Sequence, residues 1–263
     1  MKHALFTLAV ALVSAAAVPA TPAQAQTRVF VAAQGLDTNP CTFAQPCRTF
    51  QHAHDVLAPN GEIDVLDPAG YGAVNITKSI SIQGHGFSGI TVTAGNAISV
   101  NAPADAIINL SGLIIEGAGA GLNGIQFNTG KSLTIENCVI RRVTQYAIEF
   151  APNASSAIAV SDTLIIDNFF GVYVHPSGSA AVTALFNRVG VYNSAIHAID
   201  IEGGATSGLL NATIADSVAY NNGGHGFVVF ESGAVAANSY LMVVRSVSAN
   251  NASFGVGDRK SVV

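Results

Sequence analysis

The chain of 263 residues is 49% hydrophobic, carries only 10% charged residues at a formal net charge of −5, and contains 26 glycines and no tryptophan. So sparse and slightly acidic a charge set excludes the basic stripe with which proteins hold nucleic acid. It suits many short buried strands joined by tight turns.

Met1, Lys2 and His3 precede an apolar run from Ala4 to Val18, and Ala23-Gln24-Ala25 closes the segment after Pro19 and Pro22. This pattern predicts a secretory leader over 1–25, cut after Ala25. The run is short of the roughly 20 apolar residues that a membrane helix needs, and no later segment reaches that length. The chain is therefore expected to be exported, to the periplasm or beyond, without a membrane span. Arg28 to Val31 begins as a strand, followed by a turn-rich loop holding Cys41 and Cys47. Six residues apart in an exported chain, the two cysteines read as a disulfide. The alternative, a metal pair, lacks nearby residues to complete four ligands, and neither metal nor cofactor is expected. Cys138, inside a strand-like segment, reads as a small buried thiol.

Thr49 opens a short helix reaching about Ala58, with Phe50, Ala53, Val56 and Leu57 on one side, and Asn60-Gly61 ends it. Glu62 to Leu66 then resumes strand alternation. The segment 26–73 is expected to cap a stack of coils over 74–263, its helix covering core that the first coil would expose.

In that second region one tetrapeptide recurs, a small residue, a large apolar one, any residue, then an apolar one. Its copies begin at Ala97, Gly124, Ala147, Gly171, Ala198 and Gly226, with a partial copy at Gly255, in steps of 27, 23, 24, 27, 28 and 29 residues. A second strand precedes each copy, aligned as Leu133 to Asn137, Ile158 to Asp162, Thr183 to Asn187 and Ala212 to Asp216, each ending in Asn or Asp. Two residues on, an apolar column runs Val139, Leu164, Val189, Val218, Val247, and a polar one runs Asn168, Asn193, Asn222, Asn251. These are expected to stack as ladders at turns. Without helical periodicity between strands, βαβ units are excluded, and a propeller blade needs about 40 residues. What remains is an all-β solenoid, with the small residue at a tight corner and the apolar residues inward.

The opening Val31 to Pro40, the stretch Pro46 to Ala53, Gly61 to Leu66 and the coils together resemble the secreted bacterial right-handed parallel β-helix proteins of the pectin-lyase-like superfamily. The resemblance implies the fold. It leaves the activity open, because the superfamily includes lyases, hydrolases, epimerases and non-catalytic surface proteins. The Asp clusters of its catalytic members are missing here, and Arg141-Arg142 has no acidic cluster at the matching level on flanking segments.

In the tetrapeptide strand the third residue and the residue two further on are expected to face solvent. Read from coil to coil, the first column is Gln126, Glu149, Tyr173, Asp200, Val228, and the second is Asn128, Ala151, His175, Glu202, Phe230. At about 4.8 Å per coil, Glu149 and Asp200 are expected roughly 9 to 10 Å apart with Tyr173 between them. That spacing suits an acid and a base flanking a glycosidic bond. Glu149, Asp200 and Glu202 are thus the candidate catalytic residues; Gln126, Asn128, Tyr173 and His175 are candidates for substrate binding, Tyr173 by stacking on a sugar and His175 by orienting Glu202. Calcium on Asp200 and Glu202 falls short of the 6 to 8 oxygens it prefers. His85 and His225, between glycines, read as incidental turn residues, and His52 and His54 diverge around the helix.

The leading functional reading is a non-catalytic module presenting a flat face to a polysaccharide or surface partner. A polysaccharide lyase or glycoside hydrolase and a purely structural surface protein are the alternatives. The carboxyl end shows no cap, so self-association through the last coil, or a longer parent chain, is expected.

Overall fold

The computed structural model describes residues 26–231 and 238–260, so the leader expected at 1–25 lies outside the described residues. From the first repeat on, strands follow one another without intervening helices, and each pairs in parallel with its counterpart one coil away. The chain is a parallel β-helix with three faces. The first face holds Ser132–Glu136, Ser156–Ser161, Val182–Asn187, Leu209–Ala215 and Asn238–Val244. The second holds the three-residue strands Val139–Arg141, Leu164–Ile166, Gly190–Tyr192, Val218–Tyr220 and Val247–Ala249. Earlier coils run round the corner between these two faces as single strands, Ile80–Thr91 and Ile107–Glu116. The third face carries Val74–Ile76, Ile98–Asn101, Ile125–Thr129, Tyr146–Phe150, Phe170–Val174, Ile199–Glu202, Phe227–Glu231 and Val256–Lys260.

Alternation decides what is core. Ile125 and Phe127, Ile148 and Phe150, Val172 and Val174, and Ile199 and Ile201 point inward from the third face and are completely buried. Leu133, Ile135, Val160 and Phe186 meet them from the first face, and Ile140, Ile165 and Val191 from the second. Stacked Phe127 and Phe150 rings, 4.5 Å between centroids, show that the interior too is built in columns.

The amino-terminal helix runs over Phe50–Val56, ending two residues before the expected Ala58 because Leu57 already starts the strand Leu57–Val65. Thr49 caps it, its hydroxyl accepting the His52 N–H, and Phe50 and Ala53 are buried. His54 is buried as well, its Nε2 accepting the Thr77 N–H, which ties the helix to the end of the first strand of the third face. Cys41 and Cys47 are joined in a disulfide.

One coil sits one residue away from the register expected above. Leu133 pairs with Ile158, and Ile158 with Ala184, not Thr183. Burial sets this register: Ala184 and Phe186 are buried while Leu185 is 44% exposed, so Asn187 pairs with Ser161 and does not share the level of Asp162. Every misaligned position in that coil follows from the slip. Val189 turns inward and Gly190 takes the place between Leu164 and Val218. The corner column reads Asn137, Asp162, Arg188, Asp216, Arg245, all at positive φ. Its charges alternate, and each arginine grips the preceding aspartate through two bonds, Arg188 to Asp162 at 2.6 and 2.5 Å and Arg245 to Asp216 at 2.7 Å each.

The polar column expected through Asn193 is two ladders. Outside, Asn193 donates to Asp167 at 2.9 Å and Asn221 to Asn193 at 2.8 Å. Inside, Asn168 and Asn222 each accept a backbone N–H of the coil before, from Val143 and Ser194, and donate to a carbonyl, of Ile140 and Val191. Cys138 belongs to a third ladder, its sulfur accepting the Leu113 N–H while its own N–H meets the Thr163 hydroxyl; burial pushes its pKa up to about 11.

The small residue of the tetrapeptide answers to close packing and not to a special backbone angle. Gly124, Gly171 and Gly226 are absent from the positive-φ residues, but a Cβ on them would come within 2.5, 2.1 and 2.5 Å of the carbonyl oxygens of Ala147, Ala198 and Gly255 in the next coil. Gly171→Ala is expected to destabilise the protein by about 1–3 kcal/mol through this overlap. Denaturant unfolding measures it, and an unchanged midpoint would remove the packing explanation.

Candidate functional site on the third face

The register aligns Gln126, Glu149, Tyr173, Asp200 and Val228 at one level of the third face. Their surroundings change along the stack. At the amino-terminal side the face is a network of amides. Asn128 donates to Asn101 and Asn101 to Asn75, at 2.9 Å each, and Asn96 donates to Gln126 at 2.8 Å. The network ends on Glu149, whose Oε2 accepts from Gln126 at 2.8 Å and Asn123 at 3.0 Å, while Oε1 lies 3.1 Å from His175 Nε2. The His175 bond first, then the Gln126 bond, hold the Glu149 carboxyl below the usual carboxylate range against the opposing effect of its burial. Glu149 is therefore an ionised acceptor. His175 reaches back to Glu149 and not to Glu202, whose Oε1 accepts the Gly204 N–H.

A further column flanks this level, three residues earlier in each coil: Asn96, Asn123, Tyr146, Phe170, His197, His225, Phe254. Asn123 Oδ1 accepts the Tyr146 N–H, and the imidazoles do the same work in later coils, His197 Nδ1 accepting from His225 N at 2.8 Å and His225 Nδ1 from Phe254 N at 3.2 Å. The rings follow one another along the axis, Tyr146 and Phe170 tilted with centroids 5.2 Å apart, Phe170 edge-on to His197 at 5.3 Å, and His197 stacked on His225 at 4.6 Å and His225 on Phe254 at 5.3 Å. His225 is thus a ladder member and not an incidental turn residue. A regular spacing of three residues before each tetrapeptide's outward position was the available signal.

Tyr173 is placed differently from expectation. One ring face stacks on Tyr146 at 5.2 Å and the other on His175 at 4.2 Å, so no face is left for a sugar and only the ring edge remains. Asp200 also departs from the solvent-facing expectation, being 4% exposed, with Oδ1 buried and without a hydrogen-bond partner. One coil on, the Phe230 ring reaches back toward the imidazoles, 5.6 Å from His225 and 5.8 Å from His197. Burial, then the nearby Glu202 charge, push the Asp200 carboxyl up to about 8. Burial and the neighbouring charges of Asp200 and Glu202 likewise raise the Tyr173 phenol.

Arg141 and Arg142, expected to lack an acidic partner, both bind Glu116 on the adjacent coil of the second face at 2.7–2.9 Å. Glu116 pairs directly with Arg141 in register, a match that alignment of the tetrapeptides alone does not display. Elsewhere, Asp64 holds both Arg28 and His85, at 2.5 and 2.6 Å. Among the described residues, one group has metal-ligand geometry, Cys41, Cys47 and His52, and its two sulfurs are spent in the disulfide.

No family model matches the sequence, and no curated protein matches it. Among solved structures, the crystal structure of pectate lyase Pel9A is similar at 12% identity, over 86% of this chain and 80% of that chain, with a TM-score of 0.48. The β-helix assignment rests on the strand register itself. No helix among the described residues is long and apolar enough to cross a membrane.

Two opposed pH dependences follow. Burial and the neighbouring His225 lower His197 from 6.5 to about 4, so the stability its neutral ring contributes is present above 6.5 and lost as pH falls toward 4. Asp200, raised from 3.8 to about 8, prefers its proton when folded, so its contribution is present below 3.8 and lost as pH rises through 8. Between pH 6.5 and 9 only Asp200 of this pair acts, and melting temperature is expected to fall over that window. Asp200→Asn should flatten the fall. Thermal melts across the range check this, and a fall that persists unchanged in Asp200→Asn would remove the assignment.

Proposed function

We propose that the third face binds a polysaccharide that is uncharged or amine-bearing. The carrying observation is the chemistry of its three outward columns from Asn96 to Phe230: amides, the carboxylates Glu149, Asp200 and Glu202, phenols and imidazoles, without a single lysine or arginine. A polyuronate would set its own charges against the ionised Glu149 carboxylate. Hydroxyl and ammonium donors match the Glu149 acceptor and the amide ladder of Asn101, Gln126 and Asn128. The Cys41–Cys47 disulfide agrees with action in an oxidising compartment, which supports export.

Calorimetric titration with neutral, amine-bearing and uronate oligosaccharides tests the reading. The first two should bind and the uronate at least about tenfold more weakly; Glu149→Gln should weaken the amine-bearing ligand about tenfold, the weight of one charge-assisted bond. A preference for uronate, or no binding of any glycan, overturns it, the latter in favour of a structural surface role.

The opposed proton affinities of Glu149 and Asp200 favour a second reading, hydrolysis of the bound glycan, with protonated Asp200 as acid and ionised Glu149 as base. Binding comes first because the burial that raises Asp200 also withholds it from a ligand. A lyase reading finds no support in Arg141 and Arg142, which Glu116 occupies. If hydrolysis occurs, Asp200→Asn and Glu149→Gln should each abolish reducing-end release; unchanged release in the double variant excludes the pair.

A further inference from the structure

The disulfide of the amino-terminal cap sits beside a histidine that nothing else engages. Cys41 Sγ, Cys47 Sγ and one ring nitrogen of His52 all lie within 4.8 Å of one another. Every other described histidine spends a ring nitrogen on the protein: His54 on the Thr77 N–H, His85 on Asp64, His175 on Glu149, His197 on the His225 N–H and His225 on the Phe254 N–H. The His52 ring alone among them makes no hydrogen bond or ion pair, and only its backbone N–H is held, by the Thr49 hydroxyl.

The places of these three residues do not depend on the S–S bond. Both cysteines are pinned by their backbone to the first strand, Gln26–Val31, and the residue after it. The Phe30 N–H donates to the Cys41 carbonyl at 2.9 Å, the Cys47 N–H to the Phe30 carbonyl at 2.9 Å and the Ala32 N–H to the Cys47 carbonyl at 3.0 Å. On the other side Asp37 accepts the N–H groups of Arg48 and Thr49 and the Thr49 hydroxyl, which ties the start of the helix that carries His52 to the loop before Cys41. Both sulfurs also face the Asn39 carbonyl, at 3.9 Å from Cys41 and 3.6 Å from Cys47. Two thiols can donate S–H bonds across those distances and a disulfide cannot. The cradle therefore suits the dithiol as well as the disulfide.

Two thiolates and an imidazole form a ligand set for zinc, a borderline-soft ion that takes four ligands in a tetrahedron and accepts water in the fourth position. We propose that reduction of the Cys41–Cys47 disulfide converts the cap into a zinc site, with Cys41, Cys47 and His52 as ligands and water as the fourth. A dithiol reductant breaks the S–S bond and closes to its own disulfide, delivering the two electrons and two protons that leave Cys41 and Cys47 as thiols. Zinc displaces both thiol protons, forming two Zn–S bonds, and takes the neutral His52 ring through its unshared pair. Disulfide and metal exclude each other because they use the same sulfurs. An oxidising compartment keeps the bond closed and a reducing one loads the metal, so the cap registers the redox state around it.

Cobalt(II), which occupies zinc sites and absorbs through thiolate charge transfer, tests this on the full chain after dithiol reduction and desalting without oxygen. One equivalent should bind with the charge-transfer band, zinc should displace it, and the oxidised chain should show no band. His52→Ala should keep the band and weaken binding by about tenfold or more. Cys41→Ala with Cys47→Ala should lose the band although the buried Cys138 thiol is still present. Melting gives a readout independent of cobalt: zinc should raise the melting temperature of the reduced chain and leave that of the oxidised chain in place. If reduction unfolds the chain, zinc should restore the fold. The proposal is overturned if the reduced chain gives no band, if the paired cysteine variant gives the same band, if His52→Ala binds as tightly as the unaltered chain, or if zinc neither stabilises nor refolds the reduced chain.

Discussion

Everything in this molecule depends on the backbone hydrogen bonds that hold each coil in parallel register on the next. At about 4.8 Å per step, that register leaves no slack, so each residue has a fixed neighbour one repeat away and every local property becomes a column. The carbonyls of Ala147, Ala198 and Gly255 press on the small residue of the preceding coil, which is why glycine recurs there without an unusual φ. The same constraint explains why Asn168 and Asn222, buried at the corner between the second and third faces, satisfy backbone groups of adjacent coils: a buried turn has few other donors and acceptors within reach.

Columns also decide how charge behaves. Like charges one coil apart would repel at close range, and the exposed corner avoids this by alternation, Asp162, Arg188, Asp216, Arg245. These pairs are largely solvent-exposed and add little stability individually, but they specify register, because a slip of one coil would set like against like. The third face follows another rule. There the two carboxyl groups of one level are handled by their surroundings: Glu149 by three donors, Asp200 by exclusion of water.

That difference along a single column is what makes the third face a site. Amides give way to rings toward the carboxyl-terminal coils, and the Phe230 ring reaches back toward the imidazoles. Two carboxyl groups at equivalent positions of the repeat thus acquire opposite proton affinities, a separation that repetition alone could not produce.

The tetrapeptide period, the apolar alternation and the Thr49 cap were legible without coordinates, because each depends on local chemistry repeated at fixed spacing. Sequence by itself determined the solenoid, its inward residues and the level shared by Glu149, Tyr173 and Asp200. It could not place the coil at Thr183, where Leu185 and Phe186 are both apolar and only packing against Val160 and Ile214 tells which one faces in. Nor could it assign His175 to Glu149, pair Glu116 with two arginines, or show that Tyr173 stacks on two rings and Asp200 is buried. Those are diagonal contacts between coils, set by side-chain rotamers and the lean of a ring, and such contacts exist only once the coils are stacked.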